Sequence, residues 1–507
     1  MCEAQSLLLP TTPQPTTHHE RTPSIIAVDH VVDVEKVYLA PDASANVVDE
    51  AKSILALAFP LVLTTALELL PFAISVMLVG HIDSPLKKEY VDASSMSMLV
   101  MSMTGVSVGF GLASALDTLC SQTVGAGNLF NLGMYFQCGL IVLGATCVPM
   151  FILNFNAEIV LSVLHQDPSI VALASGFNKI AVVGMPGLFL YELMKKCLQA
   201  QGIVTPMVVL AALDNLLYAI LGYIFCYHTS MGFYGAAIAR SICYLLLPVF
   251  GYLYLCWNPV HKLWWPADHS FASQWKNAWA FVPEFLDLGV PGMLMRFMES
   301  LAFNLSAIMV GWMANPVLSL AVHNVLVNIN AQIFAVYIGM SMACSIRVGT
   351  ALGANEPNRA RAAAYASIVT VLGVIGTLAL LFVATHNYLP QLFISDPVAI
   401  QAVQDALAVF VIFMLVDGVN LVCQGILRAM GLQSIGAYVN CVAYYLVGLP
   451  LVALVGFHFR WGVQGAWFGL TAGLGTSMLV YLAIIYRTDW RQVAIKAVMR
   501  STHNIKV

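Results

Sequence analysis

The stretch that decides the fold is LAFPLVLTTALELLPFAISVMLVG (57–80), because the chain repeats it in altered form as LGVPGMLMRFMESLAFNLSAIMVG (288–311). Each copy is apolar over a length that can span the roughly 30 Å hydrocarbon core of a bilayer. Aligned without gaps, the two copies are identical at Leu57/Leu288, Pro60/Pro291, Leu63/Leu294, Glu68/Glu299, Leu70/Leu301, Phe72/Phe303, Ser75/Ser306, Val79/Val310 and Gly80/Gly311. The sequence therefore predicts two equivalent membrane helices, each with a glutamate near its middle.

The composition places the whole chain in a membrane. Of its 507 residues, 60% are hydrophobic and only 9% are charged, and the mean hydropathy is +0.82. No surface of ordinary polarity could cover such a chain. Apolar stretches of spanning length fall at about 54–79, 93–116, 131–154, 168–194, 204–227, 233–257, 285–311, 318–344, 362–385, 398–424, 434–457 and 463–486. We expect an all-α polytopic membrane protein with twelve transmembrane helices.

The repeat extends over a whole six-helix unit. Short motifs recur at offsets between 228 and 231 residues: GAGN at 125 with GAN at 353, DPSI at 167 with DPVAI at 396, LQAQG at 198 with LRAMG at 427, and GFYGA at 232 with GVQGA at 462. A constant offset of this kind indicates duplication of the unit. Because six is even, we expect two lobes related by a pseudo-two-fold axis along the membrane normal, with a site at their interface.

Charged and aromatic residues divide the chain into five parts. Lys and Arg, including Lys195 and Lys196, are concentrated at loops on one side, so the positive-inside rule places both termini in the cytoplasm. We predict a disordered cytoplasmic tail at 1–50, a first lobe at 51–257, a linker at 258–284, a second lobe at 285–487 and a cytoplasmic tail at 488–507. Tryptophans beside lysines in the linker, beginning with Trp264, suit a segment at the cytoplasmic interface.

The same composition argues against several function classes. A net charge of −4 without a basic block argues against a nucleic-acid partner. The 11 cysteines lie mostly in apolar stretches without a CxxC pair, so neither a disulfide framework nor a metal site is indicated. HExxH and GxxxxGK[ST] do not occur, which makes an intramembrane enzyme or an ATP-driven pump a poor alternative. We expect no organic cofactor.

Carboxylates stand inside the predicted helices, where a charge costs roughly 2.5–3.5 kcal/mol at the bilayer centre. Glu68 has a twin, Glu299, at the same point of the second copy. Pro71 has no amide to donate, so it frees the carbonyl of Leu67 and is expected to bend the helix next to Glu68. We expect Glu68 to face the cleft between the lobes. Further candidates for the cavity are Asp117, Glu192, Asp214, Asp417, Asn304, Asn328, Asn330, Gln332, Tyr337 and Asn420.

For some of these acids a structural role competes with a functional one. Glu299 follows Arg296 by three residues, so an ion pair within the helix could neutralise both. Glu192 precedes Lys195 by three and Lys196 by four, which makes a salt bridge at the helix end an equal alternative.

Other acids differ in their sequence neighbours. Asp117 lies close to CSQTVGAGN, where a capping or inter-helix role competes with transport, and Asp214 could pair with Asn215. Glu68 and Asp417 have no cation within a helical turn in the sequence, so we favour a functional role for both.

Several motifs resemble those of the multidrug and toxic compound extrusion (MATE) transporters of the eukaryotic type. They are ISVMLVGHI (74–82), GLASALDTLCSQTVGAGN (111–128), LQAQGIVTPMV (198–208), PGMLMRFMESLAFN (291–304), SIRVGTALGAN (345–355) and GILRAMGLQSIGAYVNCVAYYLVGLP (425–450). The resemblance covers about residues 50–487. It implies two six-helix lobes around a central cavity.

The resemblance also implies roles for particular residues. Glu299 matches an acidic position of the seventh helix that the family uses for cation-coupled export, and Asp417 matches one in the tenth helix, changed from Glu. Animal relatives carry a further Glu where this chain has Asn304, and another in the eighth helix, for which Asn328 is the best match. Glu68 resembles an acid in the first helix of the fungal-type branch.

These observations predict a secondary antiporter that exports organic cations, drugs or amphiphilic metabolites. Burial favours the neutral form of a carboxyl group, so protons and substrate could compete for the same acid. We expect Glu299 and Asp417 to couple the flows and Glu68 to bind a second proton or the substrate. Sodium coupling and efflux of organic acids or secondary metabolites remain alternatives. We expect a protein that is functional as a monomer in the plasma or vacuolar membrane.

Overall fold

The computed structural model describes residues 46–163, 167–265 and 271–502. Within these residues twelve helices are long and apolar enough to cross a membrane. They are α1 Val47–Gly80, α2 Lys87–Gly125, α3 Leu129–Phe155, α4 Pro168–Ala200, α5 Thr205–Tyr227, α6 Phe233–Trp257, α7 Val282–Gly311, α8 Pro316–Gly353, α9 Pro357–Ala384, α10 Pro397–Met430, α11 Gln433–His458 and α12 Gly462–Arg487. The predicted all-α architecture of twelve spans is confirmed.

The twelve helices form two lobes, α1–α6 and α7–α12, and each lobe has its own hydrophobic core. The helices α1 and α7 cross between them. Ile54 and Leu61, in the first half of α1, pack into the core of the second lobe. Phe285 and Leu288, at the start of α7, pack into the core of the first lobe. The duplicated helices therefore exchange their starting halves, and they form the walls between the lobes.

The lobes meet where α2 and α8 run beyond their apolar stretches. The hydropathy pattern ended these helices near 116 and 344, but they continue to Gly125 and Gly353. These two glycines are twins in the repeat, and each is packed on the other lobe's backbone. Gly125 lies against the carbonyl of Thr350 and Gly353 against that of Gln122, where a Cβ would overlap the opposing backbone. The small residues of both motifs thus allow two helix ends to pack closely.

The first helix begins earlier than the sequence predicted. Residues 1–45 of the predicted disordered tail lie outside the described residues, but Val47–Glu50 are helical, which corrects the boundary at 50. The Asn46 side chain caps the helix by accepting a hydrogen bond from the amide of Val48. Glu50 is buried and accepts hydrogen bonds from Arg347 of α8 and Arg359 of α9, at 2.7 and 2.8 Å. This tertiary contact orders a segment whose composition looked like a tail.

The linker contains a short helix, Phe271–Ala278. Trp264, which the sequence placed at the membrane interface, is instead 1% exposed and packs against Phe136, with 6.1 Å between ring centroids. Trp279 does remain exposed. Part of the linker is therefore core of the first lobe.

A further helix, α13 (Trp490–Ser501), lies in the stretch that the sequence analysis assigned to the C-terminal tail. Trp490 packs into the core of the second lobe. At the other end, Arg500 donates a hydrogen bond to the side-chain oxygen of Gln122 at 3.0 Å, and Asn131 donates one to the carbonyl of Ser501. The helix thus bridges the second lobe to the first.

Candidate substrate cavity and ion-coupling site

A cavity of about 570 Å³ lies between the lobes and is named here the central cavity. Its walls come from α1, α2 and α4 of the first lobe and α7, α8 and α10 of the second. Seven residues singled out from the sequence line it: Glu68, Asp117, Glu192, Glu299, Asn304, Asn330 and Asp417. The duplicated helices therefore do bring their twin glutamates to one space.

Five other candidates lie elsewhere. Asn328 and Gln332 are on exposed faces of α8, outside the lining of the central cavity. Tyr337 and Asn420 are fully buried beside the wall rather than in it. Asp214 lines a neighbouring cavity of about 140 Å³ in the first lobe.

A larger cavity of about 660 Å³ lies on the first lobe, between α3, α4, α6 and the linker. Its lining is almost wholly apolar, and none of the described residues that form it is Asp, Glu, Lys or Arg. The central cavity is the better candidate for a transport site because it contains the charged side chains of both lobes.

In the first lobe, Glu68 faces the central cavity but does not stand alone. The ammonium of Lys195 donates hydrogen bonds to both carboxylate oxygens of Glu68, at 2.8 and 3.0 Å. The same ammonium lies 2.6 Å from Glu192, one turn earlier on α4. Glu192 therefore does form the salt bridge that its spacing allowed. Lys195 thus holds two carboxylates.

The positions of Lys195 and Lys196 correct the sequence analysis, which placed them at a loop. Their side chains are only 4% and 9% exposed, because α4 continues to Ala200 and carries them into the interior. Burial of a lysine is tolerated where a carboxylate pairs with it. In the sequence, only the spacing of Glu192, three and four residues before the lysines, indicated such a pair.

Asp117 is neutralised by cations of both lobes. Lys196 donates a hydrogen bond to one of its oxygens at 2.6 Å, and Arg428 of α10 lies 3.5 Å from the other. The next residue, Thr118, donates a hydrogen bond to the backbone carbonyl of Arg428. The inter-helix role that competed with transport for Asp117 is thus present in the structure, and it joins the lobes.

Pro71 frees the carbonyl of Leu67, as the sequence predicted. The Leu67 carbonyl that it frees accepts a hydrogen bond from the amide of Asn215 at 2.8 Å. Asn215 therefore serves α1 rather than its neighbour Asp214, which pairs with Arg240 at 3.5 Å. These polar groups lie beside Glu68 in the smaller cavity.

The acids of the second lobe are arranged differently. Neither Glu299 nor Asp417 belongs to an ion pair within the described residues, so the pair that the spacing of Arg296 and Glu299 allowed does not form. Asp417 is 1% exposed, and both its carboxylate oxygens lack a hydrogen-bond partner in the described part of the chain. The hydroxyl groups of Tyr337 and Tyr444 are likewise unpartnered there.

These acids form a group. Glu299 and Asp417 interact electrostatically, and the side chain of Gln424 lies beside Glu299. Unsatisfied polar atoms at this density are unusual in a protein interior. They are the groups that an ion, a proton or a polar substrate could satisfy.

Comparisons with known proteins show the family to which this chain belongs. The MatE family model matches residues 60–224 and 291–454, two segments related by the offset of the internal repeat. The chain belongs to the MatE family. Each matched segment lies within one lobe and covers most of its first five helices. The resemblance found in the sequence motifs is thereby confirmed.

Individual members of the MatE family are similar over most of the chain. Multidrug and toxin extrusion protein 1 of Mus musculus is 32% identical over 460 residues, which cover 90% of this chain and 78% of that protein. Multidrug and toxin extrusion protein 2 of Oryctolagus cuniculus is 31% identical over 452 residues, covering 89% and 73%. These MatE relatives are named for extrusion, as a transporter would be.

Solved structures of the MatE family share the fold. The crystal structure of the eukaryotic MATE transporter AtDTX14 superposes with a TM-score of 0.81 at 27% identity, covering 90% of this chain and all of that one. The two-lobe arrangement of twelve helices is therefore that of a MATE transporter.

Proposed function

We propose that this MatE-family chain is a secondary antiporter that exports organic cations or amphiphilic metabolites in exchange for protons. The observation that carries the proposal is the placement of Glu299 and Asp417 at the central cavity without a paired cation among the described residues. A buried carboxylate that lacks a counter-ion is costly, so uptake of a proton or a cation stabilises it. Competition between the two for one acidic group couples their flows.

The two carboxylates have different tasks in this mechanism. Asp417 is the more buried, with unpartnered hydroxyl groups nearby, and receives the proton. Glu299 stands in the wall of the cavity and receives the positive end of the substrate. Protonation of Asp417 lowers the negative charge felt at Glu299, which weakens substrate binding and lets the lobes return for the next molecule.

In this mechanism Glu68 contacts the substrate. Its side chain is 28% exposed to the cavity while Lys195 holds its carboxylate. A substrate cation that approaches Glu68 competes with this ammonium for the carboxylate, so the first lobe binds the substrate more weakly than the second.

The test is flux into inside-out vesicles driven by an imposed pH gradient, with a fluorescent organic cation as substrate. We expect Glu299→Gln and Asp417→Asn to lose gradient-driven flux, and Glu68→Gln to raise the substrate concentration needed for half-maximal flux. Wild-type flux in both Glu299→Gln and Glu68→Gln would overturn the assignment.

Sodium is the alternative coupling ion, because carboxylate, amide and hydroxyl oxygens also suit a hard cation. The side-chain oxygens of Asn330 and Tyr337 are of this type, and among the described residues they have no hydrogen-bond partner. Both residues are on α8, which forms part of the cavity wall. If substrate flux occurs under a sodium gradient without a pH gradient, sodium is the coupling ion in place of the proton.

We further propose that the chain acts as a monomer without an organic cofactor, with both termini in the cytoplasm of a plasma or vacuolar membrane. The internal duplication supports this proposal, since one chain already contains both lobes. Protease protection of epitope tags at each end, in sealed vesicles of known orientation, tests the topology.

A further inference from the structure

Arg296 differs from the other cations that line the central cavity. Lys195, Lys196 and Arg428 each lie within 3.5 Å of a carboxylate oxygen. Arg296 is exposed and lines the cavity, and among the described residues it forms no hydrogen bond and no ion pair within 4 Å, although the charge of Glu299 attracts it electrostatically. Its guanidinium group is thus a charged donor that faces the space a substrate would occupy.

When the ion pairs of the central cavity are set aside, a remainder of charged side chains without a salt bridge to any described residue is left. The first-lobe acids Glu68, Asp117 and Glu192 are neutralised by the three paired cations, within the part of the chain that the structure describes. The remainder is Glu299, Asp417 and Arg296, two carboxylates and one guanidinium.

A substrate with only a positive charge satisfies one half of this remainder. It leaves the guanidinium without an acceptor and places a like charge near it, which lowers the binding energy. A substrate that carries a positive and a negative group satisfies both halves. The remainder is therefore complementary to a zwitterion.

The shape of the guanidinium narrows the chemistry further. A planar group with a fork of donors binds carboxylate, phosphate or sulfonate through two parallel hydrogen bonds. Arg296 and Glu299 are three residues apart on α7, so their Cβ atoms lie on the order of 5–6 Å from each other on one face. The two groups can contact opposite charges that a short linker separates in one molecule.

We infer that Arg296 is a specificity-determining residue that binds the oxyanion of zwitterionic amphiphiles while Glu299 binds their cationic group. The inference rests on the proposed transport function of the central cavity and names the residue that contacts the negative group of the substrate. It assigns a substrate contact to a residue whose spacing in the sequence also allowed an ion pair with Glu299.

The test is equilibrium binding of two matched probes to the purified full-length chain. A fluorescent xanthene dye in its free-acid form is a zwitterion, and its methyl ester is a cation of nearly the same shape. Fluorescence anisotropy gives the Kd of each. We expect the wild type to bind the free acid more tightly, and Arg296→Gln to weaken binding of the free acid roughly tenfold while the ester changes less than about twofold.

Two variants serve as controls. Arg296→Lys keeps the charge but not the fork, so we expect it to retain part of the preference. Arg361→Gln makes the same chemical change on α9, where the guanidinium lies over the ring of Tyr365 and not in the cavity. It should leave both Kd values unchanged.

An unchanged ratio of the two Kd values in Arg296→Gln overturns the inference, as does equal weakening of both probes or the absence of binding by either. Proton-driven flux of the ester in wild-type vesicles is measured separately. If the ratio shifts but no gradient drives flux, the proposed function fails and the role of Arg296 stands. If flux occurs and the ratio of the two Kd values is unchanged, the proposed function stands and the role of Arg296 fails.

Discussion

In the first lobe, the carboxylate of Glu68 lies 2.8 Å from the ammonium of Lys195, whereas in the second lobe its twin Glu299 belongs to no ion pair within the described residues. Both residues occupy the same position of a duplicated helix, and both line the central cavity. The difference lies in what the neighbouring helices supply. Helix α4 brings a buried lysine to the first glutamate, and α10 brings Asp417, a second acid, near the other.

The comparison teaches that duplication preserved a position and not its chemistry. A carboxylate and an ammonium that pair in the interior stabilise each other, because removing either charge leaves the other unpaired. A carboxylate beside a second carboxylate gains from binding a proton or a cation. We therefore expect the first lobe to depend on its charges for stability and the second lobe to use them for transport.

The largest expected effect is that of Lys195→Met. It leaves the buried Glu192 with only Lys196, at 3.9 Å, and the partly exposed Glu68 without its ammonium. Breaking a buried ion pair such as that between Lys195 and Glu192 costs about 3–5 kcal/mol. We expect a large fall in the midpoint of thermal unfolding and in the yield of monodisperse protein.

The control for Lys195→Met also removes the two charges that it strands. Lys195→Met combined with Glu68→Gln and Glu192→Gln should recover most of the lost stability, since the site is then neutral. Equal instability of the triple variant would show that Lys195 contributes packing rather than charge.

For Asp417→Asn we expect the opposite pattern. The amide is neutral and less costly to bury than an unpaired carboxylate, so the thermal midpoint should stay the same or rise. Gradient-driven flux should fall at least about tenfold, equivalent to roughly 1.4 kcal/mol, because the proton has lost its acceptor. Asp405→Asn, on an exposed face of the same helix, serves as the matched control. A marked loss of stability in Asp417→Asn would contradict the division between the lobes.

A smaller effect is expected at the proline that only the first lobe contains. Asn215→Ala removes the donor to the carbonyl of Leu67, and an unsatisfied, partly buried carbonyl costs about 1 kcal/mol. The twin of Pro71 in the second lobe is Ala302, which has an amide of its own.

The proline also provides the control. The substitution Pro71→Ala restores an amide that can bond to Leu67, so Asn215→Ala should cost less in that background than in the wild type. Thermal midpoints of the four proteins of this cycle give the coupling. Additive effects would sink the claim that Asn215 compensates for Pro71.

The smallest effect is expected at the helix caps that both lobes share. Asp167 and Asp396 are twins, and each accepts a hydrogen bond from the amide two residues later. A second hydrogen bond, from the hydroxyl of Ser169, lowers the pKa of Asp167 from its ordinary value of 3.8, together with the bond from the amide of Ser169. Because the folded pKa is lowered, the stabilisation is present above 3.8 and is lost as the pH falls through the lowered value.

We therefore expect Asp167→Ala to lower the thermal midpoint slightly at neutral pH and not at all in strong acid. Thermal unfolding at the two pH values checks this. A difference between variant and wild type that persists unchanged into strong acid would rule out the carboxylate as its source.

The sequence by itself determined the twelve spans, the duplication and the presence of acids at the cavity. These follow from hydrophobic length and from internal repetition, which local sequence carries directly. Even the carbonyl of Leu67, freed by Pro71, could be predicted, because the loss of an amide acts within one turn of one helix. Its partner, Asn215, lies 148 residues away and could not.

Only the tertiary structure decided which charges are paired. Lys195 meets Glu68 across 127 residues, and Arg428 meets Asp117 from the other lobe, contacts that no local spacing encodes. Helix α13 and the start of α1 are ordered by such contacts as well, which is why composition suggested tails there. Electrostatic interactions depend on distance in space, whereas hydropathy depends on neighbours along the chain. The sequence therefore predicted where the acids are, and only the packing of the lobes showed that Glu68 is held by a cation while Glu299 and Asp417 are not.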